Sequence, residues 1–177
     1  MVHAHDGFYL HLAMGIGLTS VSSNGASYSG TSTAIAAAGG VVVAPNLIIY
    51  GKLVDLSISN ASGTMAGTPG SSADVEWLGV GPGLAYYIEP LNLYLGGTVA
   101  FSRASYGSGS SSGTGQITNW GLGGELLFGK EWWASQNWGL GLAGEVVLSS
   151  ARDRTAMFGG GDWTTAGFNL LFSATYN

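Results

Sequence analysis

Three ionisable side chains stand in stretches otherwise free of charge: Lys52 in YGKLV, Glu125 in GGELL and Glu145 in AGEVV. An amine and two carboxylates brought together can neutralise one another as a fixed ion network, or they can line a path for protons or cations. His11 in YLHLA, Tyr94 in NLYLG and Asn169 in GFNLL add hydrogen-bonding groups in similarly apolar surroundings. Other patterns carry less chemistry. GLGLAG, residues 139 to 144, satisfies G-x-G-x-x-G but lies inside a strand pattern, and GELLFGKE approaches a P-loop but puts Glu131 where Ser or Thr must meet magnesium. His3, next to a free amine, could hold copper or nickel, but on a terminus that is expected to fray. NAS at Asn60 reads as loop, no G-x-S-x-G elbow occurs, and there is no Cys for thiolate chemistry. The chain is therefore not read as an enzyme, and no cofactor or metal is expected.

What must position these residues is a set of strands. Period-2 segments recur over about 8–20, 31–44, 47–59, 74–88, 91–105, 116–130, 137–150 and 163–176. Between them long and short connectors alternate: VSSNGASYSG, PN, NASGTMAGTPGSSA, EP, YGSGSSSGTG, EWWASQ and ARDRTAMFGGGD. An up-and-down meander puts alternate connectors at opposite ends, so the long loops, about 21–30, 60–73, 106–115 and 151–162, share one end. The short turns share the other end with both chain termini. Short turns at one rim and long polar loops at the other is the layout of a membrane barrel with an even strand number.

The two faces of these strands decide what surrounds them. In the first, Phe8, Leu10, Leu12, Met14, Ile16 and Leu18 alternate with Tyr9, His11, Ala13, Gly15, Gly17 and Thr19. An eight-stranded barrel has an interior just wide enough for side chains, so the small row fits inside and the bulky row faces out. Charged residues make up 8% of the chain, against roughly 25% in ordinary globular proteins, so the usual wet coat is missing. No apolar run reaches the 18 to 20 residues of a membrane helix, and the net charge of −5 offers no basic stripe for nucleic acid.

Within the barrel, Glu125 and Glu145 fall on the small-residue face, and Lys52 is placed inside with Leu47, Ile49 and Leu53 outside. Asp55 has the opposite parity to Lys52, which requires either an outward carboxylate near a rim or a bulge. Lys52, Glu125, Glu145, Asn169, His11 and Tyr94 form the expected lumen network. Trp132, Trp133, Trp138 and Tyr176 gather toward the short-turn end, and Trp77, Trp120 and Trp163 toward the long-loop end, as two interfacial belts.

At this point the whole chain resembles the small outer-membrane β-barrel family of Gram-negative bacteria. The last strand, TTAGFNLLFSATYN, looks like that family's C-terminal assembly signal: Gly167, then Phe168, Leu170 and Phe172, then a closing aromatic, Tyr176, here followed by Asn177. The resemblance implies an outer-membrane location, recognition by the membrane's assembly machinery, and a signal peptide already removed from this chain.

The expectation is one domain, 1–177: an all-β, eight-stranded antiparallel up-and-down transmembrane barrel, monomeric, with a flexible N-terminus over 1–6. The function expected is structural or surface interaction through the long loops with a partner the sequence does not name, the lumen being plugged by side chains. Two alternatives stand beside it. One is a narrow channel or small-molecule conduit, favoured by the many lumen glycines and alanines. The other is a soluble lipocalin-like ligand-binding barrel, which should show a helix and a charged exterior.

Overall fold

A computed structural model describes residues 7–65, 68–70, 72–107, 116–152 and 161–176. The expected N-terminal tail 1–6 and most of the third and fourth long loops lie outside the described residues. Eight long strands follow one another: β1 (Phe8–Ser23), β2 (Ala26–Ala44), β3 (Leu47–Met65), β4 (Ala73–Ile88), β5 (Leu93–Gly107), β6 (Gly121–Trp133), β7 (Trp138–Arg152) and β8 (Asp162–Tyr176). Two dipeptide strands, Thr68–Pro69 and Gln116–Ile117, pair back onto β3 and β5. Every long strand pairs antiparallel with its sequence neighbours, and β1 pairs with β8 from Leu10↔Tyr176 to Ser22↔Thr164, which closes the barrel.

The alternation carries the fold. On β1, Tyr9, His11, Ala13 and Thr19 are buried while Phe8, Leu12, Met14, Ile16 and Leu18 are exposed. Outward rows of the same kind run over Leu78–Ile88 of β4, Leu93–Phe101 of β5, Leu122–Phe128 of β6, Trp138–Leu148 of β7 and Phe168–Tyr176 of β8. A continuous apolar band thus surrounds the barrel, and only hydrocarbon covers such a band. Closure of so narrow a barrel depends on glycine. A Cβ on Gly15 would lie 1.9 Å from the Leu170 carbonyl oxygen, and one on Gly17 would lie 2.1 Å from that of Phe168. Bare Cα atoms let β1 curl against β8.

At the short-turn end, Pro45 and Asn46 join β2 to β3, with Asn46 at φ 64°, the positive value a type II turn needs at its third residue. The other end departs from expectation. Where the sequence suggests a long loop over about 21–30, β1 and β2 continue to a two-residue turn at Asn24–Gly25, with Gly25 at φ 86°. Asn-Gly is a strong hairpin turn, and the Ser/Thr/Gly flanks pair fully, from Thr19↔Gly30 to Ser23↔Ala26. Likewise β3 runs through the first residues of the expected 60–73 loop, with a register shift between Ile58 and Ala61 where Asn60 takes φ 54°. A strand tilted by about 40° climbs roughly 2.5 Å per residue, so a band about 25 Å tall needs about ten residues. The 19 residues each of β2 and β3 therefore carry a paired hairpin wall well above the band.

Candidate functional site

Lys52, Glu125, Glu145 and Asn169 sit on four different strands, and inward parity brings their side chains to one level of the lumen. All four are at most 4% exposed. Lys52 Nζ donates to Glu145 Oε1 at 3.0 Å and forms an ion pair and hydrogen bond with Glu125 Oε1. Asn169 Nδ2 donates to the other oxygen of Glu145 at 2.8 Å. Asn169 Oδ1 accepts from Ser32 Oγ at 3.2 Å, and Ser32 accepts from Thr19 at 2.9 Å. On the far side Thr98 Oγ1 reaches Glu125 Oε1 at 3.5 Å, and the Tyr50 hydroxyl lies 3.3 Å from Thr98. This chain of hydrogen bonds touches every long strand except β4. Lys52 is its hub, because it alone meets both carboxylates.

His11 and Tyr94, which the sequence groups with Lys52, belong instead to a second layer nearer the short turns. Its centre is Glu131, the first residue of the EWWASQ connector in the sequence reading. β6 runs on to Trp133, so Glu131 keeps the inward parity of Glu125 and is buried. Glu131 Oε1 accepts from Tyr87 Oη at 3.1 Å and from Thr175 Oγ1. The Thr175 proton being so used, His11 Nδ1 donates to Thr175 Oγ1, at 2.8 Å, and lies 3.8 Å from the Glu131 carboxylate. Tyr9 stacks on His11 with centroids 6.0 Å apart, and Tyr94 meets His11 edge-on at 6.1 Å and packs against Tyr87 at 5.2 Å with the rings tilted by 30°. The parity of Glu131 with Glu125 and Leu127 was the available signal.

Above the Lys52 layer the lumen carries small hydroxyl residues, Ser102, Ser149 and Thr165, and then an apolar cap. Val21, Ala26, Ile58, Ala61, Val75 and Trp163 form a buried cluster, with Tyr28 packed against it. Trp77 lies below this cap and donates from Nε1 to Ser149 Oγ at 2.8 Å. Trp77 and Trp163, 2% and 1% exposed, are therefore lumen fillers and not belt residues. Trp77 takes the space left by Gly79, where a Cβ would lie 2.5 Å from its ring. Trp133 falls on the inward parity and is half-buried at the short-turn mouth. Trp120, Trp132 and Trp138 do face outward, and Trp138 packs edge-on against Tyr176 at 5.4 Å. Phe168, Leu170 and Phe172 of the last strand face outward, and Gly167 faces in, against the Thr19 side chain.

β3 runs without a bulge from Leu47 to Ile58, so Lys52 points in and Asp55 points out. Among the described residues no group of three or more His, Cys, Asp or Glu side chains could hold a metal ion.

No protein-family model matches the chain, and no curated protein sequence matches it. Its fold does match solved structures. It is similar to Neisserial surface protein A, with a TM-score of 0.67, 18% identity and 97% of each chain covered. It is also similar to the outer membrane protein OprG from Pseudomonas aeruginosa, with a TM-score of 0.53, 15% identity and 100% of each chain covered. A third is Ail, the attachment invasion locus protein of Yersinia pestis, with a TM-score of 0.50, 12% identity and 97% of this chain and 99% of that one covered. At these identities the likeness establishes fold, an eight-stranded antiparallel barrel of the small outer-membrane type. Together with the apolar band, that fold makes this chain a membrane-spanning β-barrel with the fold of the small outer-membrane proteins.

Proposed function

We propose that this barrel is a non-catalytic structural or surface-interaction protein whose lumen is closed to solutes, and that it meets its partners with the paired hairpin wall and loops at the long-loop end. The observation that carries the reading is the double engagement of Lys52 Nζ by Glu125 and Glu145, buried at mid-lumen between the aromatic layer around Glu131 and the apolar cap around Trp163. An amine bonded to two carboxylates fills the bore and fixes three strands relative to one another, and an ion crossing here would have to break those bonds. The exterior argues against a lipocalin-like soluble barrel, since a solvated outer face would carry charge in place of the leucine and phenylalanine rows.

Planar-bilayer recording on purified protein tests this. Wild type should give no steady current, and the triple variant Lys52→Met with Glu125→Gln and Glu145→Gln should alter stability alone. Reproducible cation-selective steps in wild type, lost in the Glu125→Gln, Glu145→Gln variant, would replace the plug with a conduit, because acidic side chains lining a pore select cations.

A further inference from the structure

On the outer wall of β6, β7 and β8 the apolar band has a notch with a cation at its short-turn end. Gly144 faces outward between Leu142 and Val146 of β7, and it pairs with Phe128 on one side and Leu170 on the other. With no side chain there, the β7 backbone floors a groove of about 340 Å³ that Phe128, Leu142 and Leu170 wall and that reaches Lys130. A Cβ on Gly144 would meet the Phe168 ring at 3.7 Å, an ordinary contact, so closure of the barrel does not require glycine here. Lys130 follows Leu126 and Phe128 on the outward row of β6, one step inside Trp132 at the rim. Its ammonium donates to the Leu91 carbonyl oxygen and lies 5.5 Å from the centroid of the Trp132 ring, so the side chain reaches for the rim. Two N–H groups remain. Among the described residues Lys130 forms no ion pair: the neighbouring Glu131 is buried in the lumen, and Glu89 in the adjoining turn is not joined to it. A comparable groove of about 300 Å³ lies at Gly97 and Gly124, but its one charged residue, Glu125, turns its carboxylate inward to Lys52.

We propose that the notch at Gly144 seats one anionic glycerophospholipid of the leaflet on the short-turn side, an acyl chain lying between Phe128 and Leu170 and the phosphodiester on Lys130. The groove supplies the shape and the lysine supplies the sign. Phosphate oxygens accept the two N–H groups that Leu91 leaves free, and the uncompensated charge of Lys130 favours a headgroup with a net negative charge. A zwitterionic headgroup would bring its own cation beside a lysine that has no carboxylate partner. The inference rests on the barrel spanning a bilayer.

Native mass spectrometry of the detergent-released barrel, titrated with phosphatidylglycerol, phosphatidylethanolamine or phosphatidylcholine of identical chains, tests it. Phosphatidylglycerol should bind tightest. Lys130→Gln should weaken it about tenfold, the worth of one charge-assisted hydrogen bond, and level the three lipids, whereas Lys130→Arg should keep the preference. Gly144→Leu fills the notch and should lower the bound fraction of every lipid, while Gly124→Leu, in the groove without a cation, should leave binding unchanged. All these substitutions face outward, so the heat-modifiable folded band and insertion into vesicles should persist. Failure of wild type to insert would refute the barrel reading itself; failure of Gly144→Leu alone to insert would make the notch a requirement of folding and overturn the lipid seat. Equal binding of the three lipids by wild type, or indifference to Lys130→Gln, would also overturn it. So would equal losses from Gly144→Leu and Gly124→Leu, which would mark an ordinary lipid annulus.

Discussion

Replacing Lys52 by methionine keeps most of the side-chain volume and removes the charge between Glu125 and Glu145. The two acids do not suffer equally. Glu145 keeps the Asn169 amide at 2.8 Å, whereas Glu125 keeps a 3.5 Å hydroxyl contact from Thr98 and a second oxygen, Oε2, with no hydrogen-bond partner among the described residues. Orphaning a buried charge typically costs about 3–5 kcal/mol, and Lys52→Met should lose that much. Adding Glu125→Gln removes the worse-supported charge and should bring the deficit back to about 1–2 kcal/mol, the scale of ordinary lost hydrogen bonds. Adding Glu145→Gln instead leaves Glu125 stranded and should recover little. The assay is urea titration of the barrel in lipid vesicles, with the folded fraction read from heat-modifiable gel migration. A loss under about 1 kcal/mol for Lys52→Met would refute the hub role of this lysine, as would better rescue by the Glu145 change than by the Glu125 change.

Two further outcomes follow from the walls of the barrel. Gly15→Ala should cost about 3 kcal/mol or block closure, since its Cβ meets the Leu170 carbonyl oxygen, whereas Gly51→Ala, which faces outward with nothing within 4 Å, should be near neutral; the yield of folded band after dilution from urea separates them. Single-tryptophan variants in vesicles with brominated acyl chains should show quenching at Trp120, Trp132 and Trp138 and none at Trp77 or Trp163, and quenching at Trp77 would place its indole outside the barrel.

Most of the barrel is legible because period-2 alternation is a direct record of which side each residue faces. A tight lumen admits glycine, alanine and a few polar groups, so Lys52, Glu125, Glu145 and Asn169 can be placed inside without coordinates. The signal fades where its cause does. Over Ser20–Gly30 the outward face, Ser20, Ser22, Ser27 and Ser29, is small and polar, because above the membrane no hydrocarbon demands large residues outside, and the strand looks like a loop. Trp77 and Trp163 suggest a belt by residue type, and only parity, Trp77 with Val75 and Gly79, shows them filling the bore. Glu131 was hidden by an underestimated strand end. That His11 and Tyr94 gather around it, a layer away from Lys52, depends on stagger between strands, which no single strand's pattern records.

The bridge from Lys52 to Glu125 and Glu145 also acts as a gauge of calibre. It runs from β3 across the bore to β6 and β7, and it closes because the bore is as wide as one lysine side chain and two glutamates. Barrel diameter grows roughly linearly with strand number, so duplicating one hairpin to make ten strands would widen the bore by about a quarter. The lysine would then fall short of at least one carboxylate, and a buried charge would lose its partner at the moment the ring enlarged. A lineage could widen this barrel only after dismantling that bridge, so the ion network ties the calibre of the bore to a strand count of eight.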